Sequence, residues 1–74
     1  MEKTFGQKAV GLEFNPSGSG AVHHTKQSFA DVIDTMNNLR SETTSPEVKR
    51  LASVAITEAQ TAQMWAVKAL TWKD

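Results

Sequence analysis

The chain has 74 residues, with eight basic and eight acidic side chains and a formal charge of zero. This length allows one domain at most, and a neutral surface excludes the charge-driven binding of long DNA or RNA. Because there is no cysteine, a disulfide framework and a thiolate metal site are excluded too. No apolar run has the length of a signal-peptide core or a membrane span. We therefore expect a small cytosolic domain without membrane contact.

The small size of the chain predicts self-association. A single core of this size rarely supplies more than about 3–5 kcal/mol of stability. Since disulfides are absent and a metal is improbable, oligomerisation is the remaining common source of stability.

Residues 1–19 are predicted to form an irregular N-terminal arm. All four glycines of the chain lie at or before Gly20, and Asn15–Gly18 has the composition of a turn. The arm also carries spaced apolar side chains, which indicate that it packs on another part of the protein: Phe5, Val10, Leu12 and Phe14.

Residues 20–41 are predicted to form helix one, because apolar residues recur there at steps of three and four. Ser19 is its expected N-cap, and residues 42–45 are a short polar loop. Ser45, Pro46 and Glu47 together are typical of a helix start: an N-cap, a proline at the first position and an acid in the first turn. Helix two is predicted over residues 46–73, antiparallel to helix one because the loop is short.

Helix two has alanines at alternating steps of four and three, which would let another helix approach closely. This alanine seam consists of Val48, Ala52, Ala55, Ala59, Ala62, Ala66 and Ala69. Larger apolar residues lie on more than one flank of the seam, so the helix is expected to be covered on several sides. Either the arm or another subunit must cover Leu70 and Trp72 near its end.

The sequence favours neither a metal site, nor a cofactor, nor an enzyme. His23 and His24 are adjacent, so on a helix they point roughly 100° apart and do not form the four-residue spacing of helical zinc pairs. No serine or threonine lies in a strained turn beside a histidine, as a nucleophile would require. Capping and turn formation explain these hydroxyl residues better.

Three features have both a structural and a ligand-binding interpretation. Ser17–Gly20 precedes a helix N-terminus and is either a linker or an anion site. Lys26 borders the apolar face of helix one and either extends its ammonium to solvent or offers a charge to a phosphate. Lys68 lies three or four residues from Trp65 and Trp72 on one face, which forms either a packing patch or a stacking pocket.

The chain resembles the phage anti-CBASS cyclic-oligonucleotide sponges, in the form carried by T-even-type coliphages. The likeness covers nearly the whole chain and is most specific between Gln60 and Ala69. It is carried by Phe14–Gly18, by Lys26, Ala30, Ile33 and Asp34 of helix one, and by Lys49–Ala55 and Glu58–Ala69 of helix two.

The resemblance implies an all-α protein, a helical hairpin that assembles into a compact homohexamer. It also implies a non-enzymatic sponge for cyclic nucleotides such as 3′,3′-cGAMP and cyclic triadenylate, acting in the cytoplasm of the infected bacterium. Cyclic dinucleotides would bind Lys26 through their phosphates and Phe14 through a base. Cyclic trinucleotides would bind separate pockets through Ser28 and Lys68, where many relatives have arginine in place of the lysine.

Two other functions are compatible with the residues alone. In one, the apolar flanks of helix two dock on a host protein, which makes the chain an adaptor or inhibitor. In the other, the protein is a purely structural oligomer.

Overall fold

The computed structural model describes residues 2–74, so Met1 of the predicted arm lies outside the described residues. Three helices follow one another: α1 (Phe5–Ala9), α2 (Gly20–Glu42) and α3 (Pro46–Thr71). α3 packs along α2, and α1 packs on α2. Within this range there is no strand, and the prediction of an all-α hairpin is confirmed.

The two long helices begin at the predicted caps. The Ser19 hydroxyl accepts a hydrogen bond from the Val22 amide, and the Ser45 hydroxyl accepts one from the Val48 amide. Each bond satisfies one of the amides that a helix N-terminus leaves without a partner. Pro46 follows Ser45 directly, where its missing N–H costs nothing.

Glu47 adds an ion pair to the first turn of α3. Its carboxylate accepts two hydrogen bonds from the Arg50 guanidinium, at 2.9 and 2.6 Å. The guanidinium holds the pKa of Glu47 below its usual value. Both side chains are exposed, so the pair fixes the local rotamers more than it stabilises the fold.

The helix ends differ slightly from the predicted ones. α2 continues to Glu42, one residue beyond the predicted end, and the loop is residues 43–45. α3 ends at Thr71, two residues before the predicted end, and Trp72 is extended. The Thr71 hydroxyl donates to the Val67 carbonyl at 2.8 Å, and such side-chain bonds compete with the helical ladder.

The N-terminal arm is not wholly irregular, which corrects the prediction. α1 begins at a capping box, in which the Thr4 hydroxyl and the Gln7 side chain each accept a hydrogen bond from the other residue's amide. The Gly6 amide donates to Asp34 on α2 at 2.6 Å. A Cβ on Gly6 would overlap the Ala30 carbonyl oxygen, so glycine is what permits α1 to lie this close to α2.

The core lies where the arm, α2 and α3 meet. It consists of Val10 from the arm, Ala30 and Ile33 from α2, and Ile56 from α3. The α3 residues that pack against the hairpin partner are Ala52, Ile56, Ala59 and Gln63. The interface shares Ala52 and Ala59 with the predicted alanine seam but has Ile56 and Gln63 where the seam has Ala55 and Ala62. Ala62 and Ala69 of that seam are exposed.

The chain is a flat layer, with Cα extents of 46 × 30 × 12 Å. A thickness of 12 Å is about one layer of helices, whereas stable domains usually pack two. Large apolar side chains consequently stay exposed along α3 and at the residue after it: Leu51, Val54, Met64, Trp65, Leu70 and Trp72. Leu70 and Trp72 are exposed, so the arm, which was one of the two predicted covers beside another subunit, does not cover them. None of the helices in residues 2–74 is long and apolar enough to cross a membrane.

Replacing Gly6 by alanine should lower the free energy of unfolding by about 1–3 kcal/mol, since the new methyl group must push α1 away from α2. Urea denaturation followed by circular dichroism measures the change. The matched control is Gly20→Ala, where nothing outside the local helix backbone lies within 4 Å of the added Cβ. It should change stability by no more than about 0.5 kcal/mol. Equal effects of the two substitutions would contradict the close contact of α1 with α2.

Candidate functional site

Lys26 is the central residue of the site. It lies on the face of α2 that meets the arm and is only 4% exposed, so the interpretation of an ammonium extended to solvent is wrong. Its Nζ donates to the Gly11 carbonyl at 3.0 Å and to the Phe14 carbonyl. An ammonium has three N–H donors, and these bonds leave one for a ligand.

The charge of Lys26 is balanced by carbonyl dipoles and not by a carboxylate. The ion pairs among residues 2–74 are Lys3 with Glu13 and Arg50 with Glu47. A buried cation without a carboxylate partner retains a net attraction for an anion. The site is therefore suited electrostatically to a phosphate.

Phe14 lies directly beside this cation. The Lys26 Nζ is 5.5 Å from the centroid of the Phe14 ring, within the range of a cation–π contact. The ring is 74% exposed, so most of its surface is available to a flat ligand. The structure thus brings together the two residues predicted for the dinucleotide site.

Two clefts open beside Lys26 and Phe14. The first has a volume of about 290 Å³ and runs between the turn after Phe14 and the end of α3, lined by Phe14, Asn15, Pro16, Ser17, Val22, Lys26, Val67 and Thr71. The second has a volume of about 430 Å³ and is lined by Lys8, Ala9, Val10, Gly11, Phe14, Lys26, Gln63, Met64 and Val67. Lys26, Phe14 and Val67 are common to both, so they form the boundary between the clefts.

The turn before α2 uses its polar groups internally. The Asn15 side-chain Nδ2 donates to the Ser19 backbone carbonyl at 2.8 Å, and the Ser17 hydroxyl donates to the Asn15 side-chain Oδ1 at 2.9 Å. Ser19 caps the helix, and Gly18 has a φ of 65°, which glycine adopts readily. These bonds favour the linker interpretation of Ser17–Gly20 over an anion site.

Lys68 lies between two tryptophans at the end of α3. Its Nζ is 5.2 Å from the Trp65 ring and 5.8 Å from the Trp72 ring, so the predicted shared face is confirmed. All three side chains are exposed. The arrangement provides one cation and two aromatic surfaces for a ligand or a second protein surface.

Ser28 lies on a different face of α2 from Lys26. It lies two residues after Lys26, which places it roughly 200° around α2 from that side chain. Its hydroxyl is exposed and donates to the His24 carbonyl at 3.1 Å. Neither Ser28 nor Lys68 lines either of the two clefts. The residues predicted for the trinucleotide site therefore belong to neither of these two clefts.

The adjacent histidines remain exposed side chains. His23 and His24 both lie near the start of α2 on its outer surface. No group of three or more metal-ligating side chains occurs in the described part of the chain.

Lys8, Gln63 and Val67 were not among the predicted site residues, although they line the second cleft. Lys8 belongs to α1. This helix was not predicted, because glycines and turn residues dominate the sequence of the arm. Gln63 and Val67 follow the stripe of α3 that faces the hairpin partner, and this stripe differs from the alanine seam. Steps of three, four and four residues from Ile56 lead through Ala59 to Gln63 and Val67, and this helical spacing would have indicated both.

Replacing Lys26 by methionine should loosen the arm, because the Gly11 and Phe14 carbonyls lose a charged donor. The expected loss in unfolding free energy is about 1–3 kcal/mol, with faster hydrogen exchange at residues 10–14. Urea denaturation and mass spectrometry measure the two effects.

The matched control for this prediction is Lys49→Met. Lys49 also donates to a backbone carbonyl, that of Arg40 at 2.9 Å, but its side chain is exposed. Its loss should change stability by no more than about 0.5 kcal/mol. Unchanged exchange at residues 10–14 in the Lys26 variant would show that the lysine does not hold the arm.

Comparison with known proteins identifies the family. A family model described as "Acb2/Tad1, hairpin domain" matches residues 7–71. This match includes all of α2 and α3 and the arm residues around Phe14. Comparisons with curated proteins and with solved structures gave no significant match. The resemblance predicted from the sequence is confirmed, and the chain belongs to the Acb2/Tad1 family of anti-CBASS sponges.

Proposed function

We propose that this protein binds cyclic di- and trinucleotides, including 3′,3′-cGAMP and cyclic triadenylate, and sequesters them without cleaving them. The Acb2/Tad1 family indicates an anti-CBASS cyclic-nucleotide sponge role in general. Sequestration deprives CBASS effectors of their activator, and the proposed setting is the cytoplasm of a bacterium infected by a phage.

The observation that carries the dinucleotide part of the proposal is the placement of Lys26 beside Phe14. The buried ammonium supplies a fixed positive charge with an N–H left for a phosphate oxygen. The exposed ring supplies a stacking surface for a base. A cyclic dinucleotide has both groups in one molecule, whereas inorganic phosphate has no base to stack.

The shape of the chain supports a site that two protomers complete. The two clefts, of about 290 and 430 Å³, lie near the lower end of typical ligand pockets, which hold about 300–1,000 Å³. A ligand larger than one nucleotide would extend beyond the smaller cleft. The flat layer and its exposed apolar side chains favour a second copy as the cover. We propose a homo-oligomer, in the form of the hexamer that the resemblance implies.

Lys68 and Ser28 form the proposed trinucleotide site, at a place distinct from the clefts. Neither residue lines the two clefts beside Lys26, and we propose that residues from more than one protomer complete this site. Lysine offers a point charge where an arginine would offer a two-pronged fork. The flanking Trp65 and Trp72 rings add stacking surfaces that compensate for this weaker geometry.

Isothermal titration with 3′,3′-cGAMP tests the function and the dinucleotide site together. The wild-type protein should bind, and chromatography after heat denaturation should recover intact ligand. Phe14→Leu should weaken binding by about 1–3 kcal/mol, the usual contribution of a stacked base. Since the Phe14 ring is largely exposed, this substitution should leave the fold intact.

The matched control is Phe5→Leu, another exposed ring of the arm that lines neither cleft. It should leave affinity unchanged. Recovery of cleaved ligand would establish an enzyme and contradict a sponge. A wild-type protein that binds no cyclic nucleotide but co-purifies with a host protein would favour the adaptor function.

Lys68→Met should abolish binding of cyclic triadenylate while leaving affinity for 3′,3′-cGAMP within about twofold, since independent sites are nearly additive. Titration with each ligand measures both. Lys73→Met is the control, because Lys73 is an exposed lysine beyond the end of α3. Equal loss of both ligands in the Lys68 variant, or loss of the oligomer on gel filtration, would contradict two separate sites.

A further inference from the structure

Gln63 is an unusual residue for its position in the hairpin. Among residues 2–74, the buried polar side chains are those of Lys26, which is 4% exposed, and Gln63, which is 6% exposed. Both line the second cleft. A glutamine on the packed stripe of a helix, between Ala59 and Val67, takes a place where an apolar residue would contribute more to the core.

The Gln63 amide makes no hydrogen bond to any other group in residues 2–74. The other glutamines all do: Gln7 bonds to Gln27, Gln27 to Asp31, and Gln60 to the Ile56 carbonyl. Within the described part of the chain, no fully enclosed side-chain nitrogen or oxygen lacks a partner, so the Gln63 amide must reach open space. The open space next to it is the second cleft. A buried amide without a partner destabilises the protein unless something bonds to it there.

We propose that Gln63 recognises the base of a cyclic dinucleotide at the second cleft and gives the site a preference for adenine over guanine. This inference rests on the proposed function and adds a specificity-determining residue to it. Phe14 and Lys26 line the same cleft, so one ligand can place its base against Gln63 while its phosphate contacts Lys26. The three side chains then supply a stacking surface, a charge and a base-reading group.

The proposal places the N7 edge of the base against Gln63, and at that edge the carboxamide distinguishes the two purines. A glutamine amide has one acceptor oxygen and two N–H donors. It pairs in two places with adenine, accepting from the N6 amino group and donating to N7. At the same edge guanine has two acceptors, O6 and N7. The amide satisfies one of these and presents its oxygen to the other, which is repulsive.

The test is the Gln63→Leu variant, titrated with 3′,3′-cyclic di-AMP and with 3′,3′-cyclic di-GMP. Leucine keeps the approximate volume and removes both the donor and the acceptor. The ratio of the two affinities should move toward cyclic di-GMP by about fivefold to a hundredfold, the usual discrimination of a two-bond base contact. The thermal midpoint without ligand should stay the same or rise, because no hydrogen bond within the chain is lost.

The matched control is Gln60→Leu. Gln60 is one turn earlier on α3 and its amide already donates to the Ile56 carbonyl at 3.3 Å. It should leave the affinity ratio unchanged.

Three results would overturn the inference while the proposed function stands. They are an unchanged affinity ratio in Gln63→Leu, an equal loss of both ligands, and a loss of the oligomer on gel filtration, which would make Gln63 an interface residue. A wild-type protein that binds neither cyclic dinucleotide would overturn the proposed function of the dinucleotide site itself.

Discussion

The buried ammonium of Lys26 is the interaction on which the site depends. It holds the arm by donating to the Gly11 and Phe14 carbonyls, and this places the Phe14 ring beside the cation. The same group is the proposed phosphate ligand, so fold and function share one charge. Carbonyl groups are suitable partners because they orient the ammonium but carry no net charge. A carboxylate in their place would neutralise the ammonium. The positive charge therefore remains available to a ligand.

Two residues allow the arm to approach α2 closely, one on α1 and one on α2. Gly6 lets the backbone of α1 contact α2 without a side chain between them, and Asp34 accepts its amide hydrogen bond. Val10 then enters the core beside Ile33. The two clefts are formed by this docking, since both have arm residues along one side. A chain reduced to its two long helices would have neither cleft.

The flat shape connects stability with ligand binding. One layer of helices buries few large side chains, and Ile33 is the one fully buried large residue of the described chain. A second copy laid on the exposed face of α3 would bury Trp65 and its apolar neighbours. In the proposed function, it would also extend the clefts into sites for a cyclic nucleotide. In the proposed function, the small size that predicted self-association from composition is thus the same property that leaves the binding site incomplete in one chain.

The sequence by itself determined the hairpin and its helix starts, because caps, proline position and apolar spacing are local signals. It also determined the family, through residues that lie mostly on the two long helices. Only the tertiary structure decided that Lys26 is buried and that Gln63 shares its cleft. Both facts depend on how the arm docks, and this docking depends on a glycine contact and on carbonyl bonds distant in sequence. Local patterns carry no information about such contacts, which is also why α1 and the true packing stripe of α3 were not predicted.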